Sequence, residues 1–198
     1  MRRLLTVDGR FWRAMRADRV DAALAPPGPQ SAGRYHRPGQ PALYVTRHAN
    51  WATIALGVYV HEDGQPRVAV PLDIGPARLV DQRDPETCRA LGIDPRRSTE
   101  SWRAALAAGK EPPSWLAADA ARAAGADGIV DPSREIEGGW HAVLFRWNAP
   151  GAPSVTVAGA PEPCDDAAAR TRWPSPTGWV PPEERRGRCG GVSFRPPD

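Results

Sequence analysis

The amino-acid sequence predicts an α+β fold, a single domain with one mixed sheet. Strand-like segments come first along the chain, helical segments occupy the middle, and strands return before residue 158, so the elements do not alternate as in βαβ folds. A length of 198 residues accommodates one domain and an appendage better than two domains. From residue 159 onward Pro, Arg, Gly and acidic residues dominate. We therefore predict a domain over residues 1–158 and a tail over residues 159–198 that is poorly ordered or loosely docked.

The N-terminal half of the sequence is predicted to form mainly strands. Aromatic and β-branched residues predict strands over residues 11–15 and 42–46, separated by a loop rich in Pro and Gly. Residues 48–56 are predicted to form a short helix that ends at Gly57. The segment 58–74 contains an Asp-Gly pair between two apolar runs, which predicts a β-hairpin.

Two helices are predicted in the middle of the chain. Ser98 is expected to cap the first, which ends at Gly109, and Ser114 to cap the second, which ends at Gly125. The buried stripe of the second helix is predicted from helical spacing to consist of Leu116, Ala120 and Ala123. Further strands are predicted over residues 77–82, 128–130, 141–147 and 154–157.

Composition and charge argue against several kinds of protein. Basic and acidic residues interleave along the chain, and a formal net charge of +3 is too small to indicate a nucleic-acid-binding surface. No segment is apolar for long enough to span a membrane, and the first apolar run is too short for a signal peptide. The cysteines and histidines show no metal-ligand spacing. We therefore expect a cytoplasmic protein without a metal site, a membrane contact or a direct nucleic-acid partner.

Several separated motifs carry a resemblance to a known family. Gly33-Arg34-Tyr35 is followed by a glycine turn and by a strand that contains Tyr44. Downstream, the segments EPPSWLAADAARAAGADGIVDPSR and GGWHAVLFRWN follow in order. Over residues 13–157 this series resembles the RES domain, a toxin family named for its Arg, Glu and Ser.

The resemblance implies a fold similar to that of ADP-ribosyltransferases and an activity that degrades NAD. The nicotinamide–ribose bond would be broken by phosphorolysis or by hydrolysis. NAD is then the expected substrate, inorganic phosphate a possible second one, and no resident cofactor is required. The resemblance also implies a protein partner, a helix-turn-helix antitoxin of the Xre type.

Three residues that match the family pattern are assigned to both catalysis and NAD binding. Arg34 offers a planar fork of donors to pyrophosphate; the alternative is a surface arginine in a turn. Tyr44 would stack on nicotinamide or hydrogen-bond the ribose; the alternative is a core tyrosine with its hydroxyl at the rim. Ser133 would reach a phosphate or an amide; the alternative is an ordinary Asp-Pro-Ser turn. We predict that Arg34 and Ser133 line one concave pocket.

Two more residues are assigned to NAD binding. Arg13 lies on the first predicted strand, where the family often has an arginine, and Tyr35 belongs to the Gly-Arg-Tyr motif. The nearby Arg37 is expected to do no more than pair with an acid.

The family glutamate, which follows the Tyr44 strand on a helix, is missing. Depending on the alignment, Leu56 or Gly57 takes its position, and no acid occurs between Tyr44 and Glu62. A positioned acid–base group contributes about 10²–10⁴ in rate, so we expect NAD binding to survive better than turnover. Two functions remain open, a weakened NAD-degrading enzyme and a catalytically inactive module for binding or for toxin–antitoxin interaction.

Overall fold

The computed structural model describes residues 4–164, apart from the side chains of residues 57–63. The described strands are β1 (Leu5–Arg16), β2 (Leu43–Thr46), β3 (Arg67–Asp81), β4 (Gly128–Pro132), β5 (Trp140–Leu144), β6 (Val155–Val157) and β7 (Glu162–Pro163). The described helices are α1 (Ala49–Asp63), α2 (Pro85–Leu91), α3 (Pro95–Ser98), α4 (Trp102–Ala107) and α5 (Ser114–Ala123), with a 3₁₀ helix at Ala17–Ala22. The architecture is α+β with one mixed sheet, as predicted.

The sheet closes on itself. β1 pairs antiparallel with β2 and with β3, β5 pairs antiparallel with β2 and with β4, and β4 pairs parallel with β3. These pairings join β1, β2, β5, β4 and β3 into a ring, and β6 and β7 add to β3. The ring gives the sheet an inner and an outer face.

Each face of the ring carries its own apolar core. The inner core takes alternate residues of the strands, among them Phe11, Leu43, Val45, Val70, Leu72, Val130 and Leu144. The outer core takes the intervening residues together with α2 and α5, and includes Tyr35, Val80, Cys88, Ala118, Ala121, Ile129 and Val143. Helices α2 and α5 therefore cover the outer face of β3, β4 and β5.

Three strands end at the same edge of the sheet. Because β2 and β4 are each antiparallel to β5, they run in one direction, and β3 runs parallel to β4. Their carboxyl ends lie at Thr46, Asp81 and Pro132. In sheets with parallel strands this edge is where loops bring polar side chains together.

The predicted hairpin over residues 58–74 is wrong in its first arm. Helix α1 does not end at Gly57 but continues to Asp63, because residues 49–63 contain no proline and a single glycine does not stop an otherwise continuous helix. Gly64, at φ 63°, follows the last helical residue. The Asp-Gly pair therefore ends a helix and does not turn a hairpin.

The middle helices also differ from the prediction. Ser101, not Ser98, caps α4 by accepting a hydrogen bond from Ala104 N. In α5 the predicted stripe is wrong, since Leu116 is 55% exposed while Ala118 and Ala121 are fully buried. Small side chains let α5 approach the sheet closely, and the larger leucine points away from it.

Part of the predicted tail belongs to the sheet. β7 pairs with β3, and Cys164 N donates to Arg67 O at 3.0 Å. Residues 165–198 of that tail lie outside the described residues, and the boundary at residue 158 stays a prediction.

Candidate functional site

The Gly-Arg-Tyr motif forms a tight turn. Gly33 N donates to His36 O at 3.0 Å, and His36 N donates back to Gly33 O at 3.4 Å. Arg34 and Tyr35 therefore stand at the tip of the turn. This geometry is local, but three contacts from far along the chain fix its position.

Helix α5 binds three consecutive carbonyls of this turn, those of residues 33–35. The donors are Trp115 Nε1 to the first carbonyl at 2.8 Å, Ser114 Oγ to the second, and Arg122 Nη2 to the third at 3.2 Å. An indole, a hydroxyl and a guanidinium thus satisfy backbone groups that the sheet does not pair. The Arg34 side chain is positioned through its own main chain by α5.

Gly33 allows two side chains to approach the turn. A Cβ at this position would lie 2.5 Å from His36 Cε1 and 2.9 Å from the Tyr44 hydroxyl oxygen. Both separations are shorter than carbon atoms tolerate, so a side chain here would displace the histidine and the tyrosine. The glycine of the motif is explained by close packing.

The Arg34 guanidinium is held at one nitrogen. Its Nη1 donates to Ser98 O at 2.7 Å and to Glu100 O at 2.8 Å, in the segment between α3 and α4. Nε and Nη2 make no hydrogen bond with any of the described residues. The side chain is thereby oriented while two of its nitrogens remain for a ligand.

Polar side chains form a row across three strands at the edge where β2 and β4 end. Thr46 of β2 is paired with His141 of β5, which is paired in turn with Asp131 of β4. Residues directly opposite in adjacent strands share a face, so all three project from the outer face. Tyr44, two residues before Thr46, lies on that face as well.

Asp131 is a buried carboxylate in this row. It is 5% exposed, and both of its oxygens accept from Arg134 Nη2, at 2.9 and 3.3 Å. Burial, followed by the negative charge of Asp131, raises the pKa of Tyr35 well above its usual value. The phenol of Tyr35 therefore stays protonated beside the carboxylate.

The charges at this edge act on one another. Burial, and after it the positive charge of Arg134, lower the pKa of Arg34, while Asp131 opposes them. Burial also lowers the pKa of His141, on which the charges of Asp131, Arg134 and Arg34 all act. These four residues constitute a single electrostatic cluster with two cations, one anion and an imidazole that is neutral at pH 7.

Tyr44 is bonded to the turn through its hydroxyl. The oxygen accepts from Tyr35 N at 3.0 Å and lies 2.9 Å from His36 Nδ1. Burial, and then the charge of Arg122, lower the pKa of His36 to about 4, so this imidazole is neutral at pH 7. Tyr44 thus joins the end of β2 to the Gly-Arg-Tyr turn.

Ser133 lies in the loop between β4 and β5, between Asp131 and Arg134. Its Oγ accepts from Glu135 N at 3.3 Å and from Ile136 N at 3.1 Å. The hydroxyl therefore closes a turn, and its proton is left to donate elsewhere. Its meeting with Arg34 in one pocket stays a prediction, although the charges of Asp131, two residues before Ser133, and of Arg134, directly after it, act on Arg34.

Known proteins share the sequence pattern and the fold of this chain. The profile of a family described as the RES domain matches residues 10–167. The chain belongs to the RES-domain family. A chain in the crystal structure of the M. tuberculosis MbcT–MbcA toxin–antitoxin complex has the same fold, with a TM-score of 0.57 and 14% sequence identity, over 85% of this chain and 90% of that one. No curated protein matches the sequence.

The remaining predicted site residues of this RES domain are engaged in the fold. Arg13 Nη1 donates to the carbonyls of Ala23 and Ala25, and it leaves β1 on the face opposite to Trp12, which is paired with Thr46. The structure thus does not bring Arg13 to the row of polar side chains. Tyr35 is 1% exposed, and its phenol accepts from Gln82 Nε2 at 2.9 Å.

Arg37 pairs with acidic residues, as the sequence predicted. It pairs with Asp119 at 2.8 Å and with Glu111 at 3.3 Å, and its guanidinium lies 4.8 Å from the centroid of the Trp115 ring. It supports the contact between the loop and α5. No role in binding follows from these contacts.

Sequence reasoning missed Asp131, Arg134 and His141. A signal was present, since an acid two residues before the family serine stands where β4 ends, at the edge that the parallel strands share. Reading Asp-Pro-Ser as a turn concealed it, because a turn explains an aspartate without further function. The pairing of His141 with Asp131 depends on strand register and has no sequence motif.

Among the side chains described, no group of three or more His, Cys, Asp or Glu residues could hold a metal ion. Within the same part of the chain, no helix combines the length and the apolar character that crossing a membrane requires.

Proposed function

We propose that this RES domain binds NAD at the edge where β2, β3 and β4 end and cleaves the nicotinamide–ribose bond. The observation that carries the proposal is a cluster in which Tyr44, Asp131 and His141 share one face of the sheet. The loop residues Arg34 and Arg134 add their charges to it. It combines what a dinucleotide requires, namely cations for the pyrophosphate and an aromatic ring and polar groups for the nicotinamide riboside.

Arg34 is suited to bind the pyrophosphate. Its guanidinium is fixed through Nη1 and has Nε and Nη2 without a hydrogen bond to the described residues. Hydrogen bonds between charged groups contribute about 1.5–3 kcal/mol each, and a partly buried cation interacts more strongly than an exposed one. Arg134 adds a second positive charge to the same cluster.

Tyr44 and Ser133 would orient the nicotinamide riboside. The Tyr44 ring lies on the outer face two residues before Thr46, and its hydroxyl is held by the turn. Ser133 retains a hydroxyl proton that can be donated to a phosphate or to the carboxamide. Fixed orientation of these groups before the substrate arrives lowers the entropic cost of reaching the reactive geometry.

The missing glutamate supports slow turnover. Leu56 and Gly57 carry no charge at the position where the family has its acid. A group that acts chiefly in the transition state can be lost with little effect on binding of the ground state. The same absence supports the alternative function, a catalytically inactive module that binds NAD or a partner protein.

A protein partner is the second part of the proposal. The structural relative in M. tuberculosis was solved within a toxin–antitoxin complex, and we propose that this chain is restrained by an antitoxin, of the Xre type that the family resemblance implies. An antitoxin that covers the sheet edge would exclude NAD. Competition between the antitoxin and NAD for the same protein would support this arrangement.

The experiment that tests the proposal measures binding and consumption of NAD separately. Calorimetry with NAD should give heat that saturates at one equivalent, and incubation should release nicotinamide. Parallel reactions with and without inorganic phosphate identify the nucleophile, since phosphate yields ADP-ribose 1″-phosphate and water yields ADP-ribose. Binding without release of nicotinamide supports the inactive module, whereas absence of both overturns the proposal.

A further inference from the structure

We propose that Asp131 provides the carboxylate of this site, contacting the ribose next to the bond that breaks. This inference rests on the proposed function and assigns to the chain an acid that the segment between Tyr44 and Glu62 does not contain. The carboxylate comes from the end of β4, not from the helix after β2.

The position of Asp131 is the first argument. Asp131 is paired directly with His141 across β4 and β5, and its charge also acts on Arg34 and on Tyr35. A dinucleotide bound by Arg34 would therefore find this carboxylate within the same cluster.

The way in which Asp131 is paired is the second argument. A carboxylate that is 5% exposed loses most of its hydration and needs compensation. The compensation from Arg134 comes through a single nitrogen, Nη2, three residues along the same loop. Tyr35 also makes a side-chain hydrogen bond to Asp131, and after both partners the carboxylate keeps lone pairs that can accept hydrogen bonds from ribose hydroxyls.

Other acids are less well placed. Glu62 and Asp63 stand at the far end of α1, which begins three residues after Thr46 and rises about 1.5 Å per residue, so that their main chain lies on the order of 20 Å along the helix. Glu135 lies in the loop beyond the end of β4, outside the row of paired strand residues, and it has an interaction of its own. Asp127, at the opposite end of β4, is bonded to Arg78 N and to Arg146.

The chemistry requires a negative group at this place. The bond between ribose C1′ and the nicotinamide nitrogen breaks, and its electron pair leaves with the nitrogen, so that nicotinamide departs as a neutral molecule. C1′ then carries positive charge until an oxygen of phosphate or water forms a new bond and the nucleophile releases its proton to solvent. The Asp131 carboxylate would stabilise this positive charge and hold the ribose hydroxyls, as carboxylates do in glycoside cleavage.

The test compares Asp131→Asn with Asp127→Asn. Both replace a buried aspartate at an end of β4 that is paired with an arginine. For Asp131→Asn we expect release of nicotinamide to fall by about 10²–10⁴-fold while the Kd for NAD changes by less than about fivefold. For Asp127→Asn we expect turnover per folded molecule within about twofold of the unmodified protein.

A second variant keeps the test decisive if Asp131→Asn does not fold. Asp131→Asn combined with Arg134→Gln removes both members of the pair and leaves no unpaired buried charge. Its turnover is compared with that of Arg134→Gln alone, which shares any loss of NAD binding that Arg134 causes, and the additional loss should again be about 10²–10⁴-fold. In addition, Asp131→Ala assayed with sodium formate should regain part of the lost turnover, whereas sodium chloride at the same ionic strength should not. A structural role alone would give no formate dependence.

The outcomes separate this inference from the proposed function. If the unmodified protein neither binds nor cleaves NAD, the proposed function fails and this inference fails with it. If the unmodified protein cleaves NAD and the Asp131 variants cleave it equally fast, the function stands and the assignment of Asp131 is overturned. Loss of turnover with retained binding, restored by formate, supports it.

Discussion

The two ends of β4 carry similar residues with different surroundings. Asp127, just before the strand, and Asp131, within it, are 4% and 5% exposed, and each pairs with an arginine. Asp127 accepts from Arg78 N at 2.8 Å and from Arg146 Nε at 2.7 Å, so it joins the last part of β3, the start of β4 and the segment after β5. Asp131 accepts from Arg134, which belongs to its own loop.

The difference shows that burial alone does not distinguish an aspartate with a structural role from one with a functional role. The carboxylate of Asp127 is bonded from elements that it connects, and its removal would weaken the contact between them. The carboxylate of Asp131 is surrounded by groups whose charges it influences, namely Arg34, Tyr35 and His141. We call the first the clamped end of β4 and the second the open end.

The largest effect is expected in the pH dependence of stability, through a histidine in the turn beside the open end. His36, which supports Tyr44, has a pKa of about 4 in the fold against 6.5 in the unfolded chain. Between pH 6.5 and pH 4 this histidine binds a proton in the unfolded chain but not in the folded chain. The free energy of unfolding therefore falls as the pH drops through this range, by about 3 kcal/mol in total. Urea unfolding over this pH range measures it.

The control for this prediction is His36→Asn, which cannot titrate. The free energy of unfolding of this variant should depend less steeply on pH. The slope should be smaller by up to the contribution of one bound proton. Equal slopes for both proteins would mean that His36 does not contribute.

The second prediction concerns ligand binding at the open end. Arg34→Ala should weaken NAD binding by roughly 10- to 150-fold, the equivalent of one charge-assisted hydrogen bond. Arg37→Ala is the matched control, because Arg37 is bonded to Glu111 and Asp119 and not to the cluster. Calorimetry measures the Kd for NAD of both variants. A similar loss of affinity in the two variants would show that the loop, and not the Arg34 guanidinium, determines binding.

The third prediction concerns the clamped end. Asp127→Asn should lower the free energy of unfolding by about 1–3 kcal/mol, since a neutral amide cannot accept equally from Arg78 N and from the Arg146 guanidinium. Chemical denaturation measures this loss. Asp131→Asn should cost less stability than Asp127→Asn, and the reverse order would abolish the distinction between the two ends.

The smallest effect is expected at the turn beside the open end. Gly33→Ala places a Cβ against His36 and Tyr44 and should cost about 1 kcal/mol, the low end for overpacking because both neighbours are side chains. Gly28→Ala, where a Cβ would meet nothing within 4 Å, should leave stability unchanged to about 0.5 kcal/mol. If both substitutions behave alike, close packing does not explain Gly33.

The sequence predicted those features that depend on local pattern. The α+β class and the strands of residues 42–46 and 128–130 follow from β-branched and aromatic runs, and the structure has strands there. The hairpin prediction failed at residues 58–60 because Val-Tyr-Val favours a strand in isolation, whereas the preceding helical residues extend α1 through it. Local preference was overridden by the neighbouring element.

The candidate site was predictable only in the parts that a motif contains. Arg34 and Tyr44 could be named from the Gly-Arg-Tyr motif and the strand after it. Asp131 had a signal, two residues before the family serine, that the turn interpretation concealed. His141 had none, because it meets Asp131 through the register between β4 and β5, which no short stretch of sequence specifies. The donors from α5 likewise depend on how the helix docks on the loop.

The bonds between α5 and the Gly33–His36 turn also determine when the site can exist. Each of the three carbonyls is bound by a residue 80 to 87 positions further along the chain. During synthesis, the Gly-Arg-Tyr motif leaves the ribosome long before Arg122 has been added. Contacts of such sequence separation also carry the loop-closure cost of the chain between their partners. A nascent or truncated chain therefore contains the motif without the site, and assembly of the site reports that the domain has been completed.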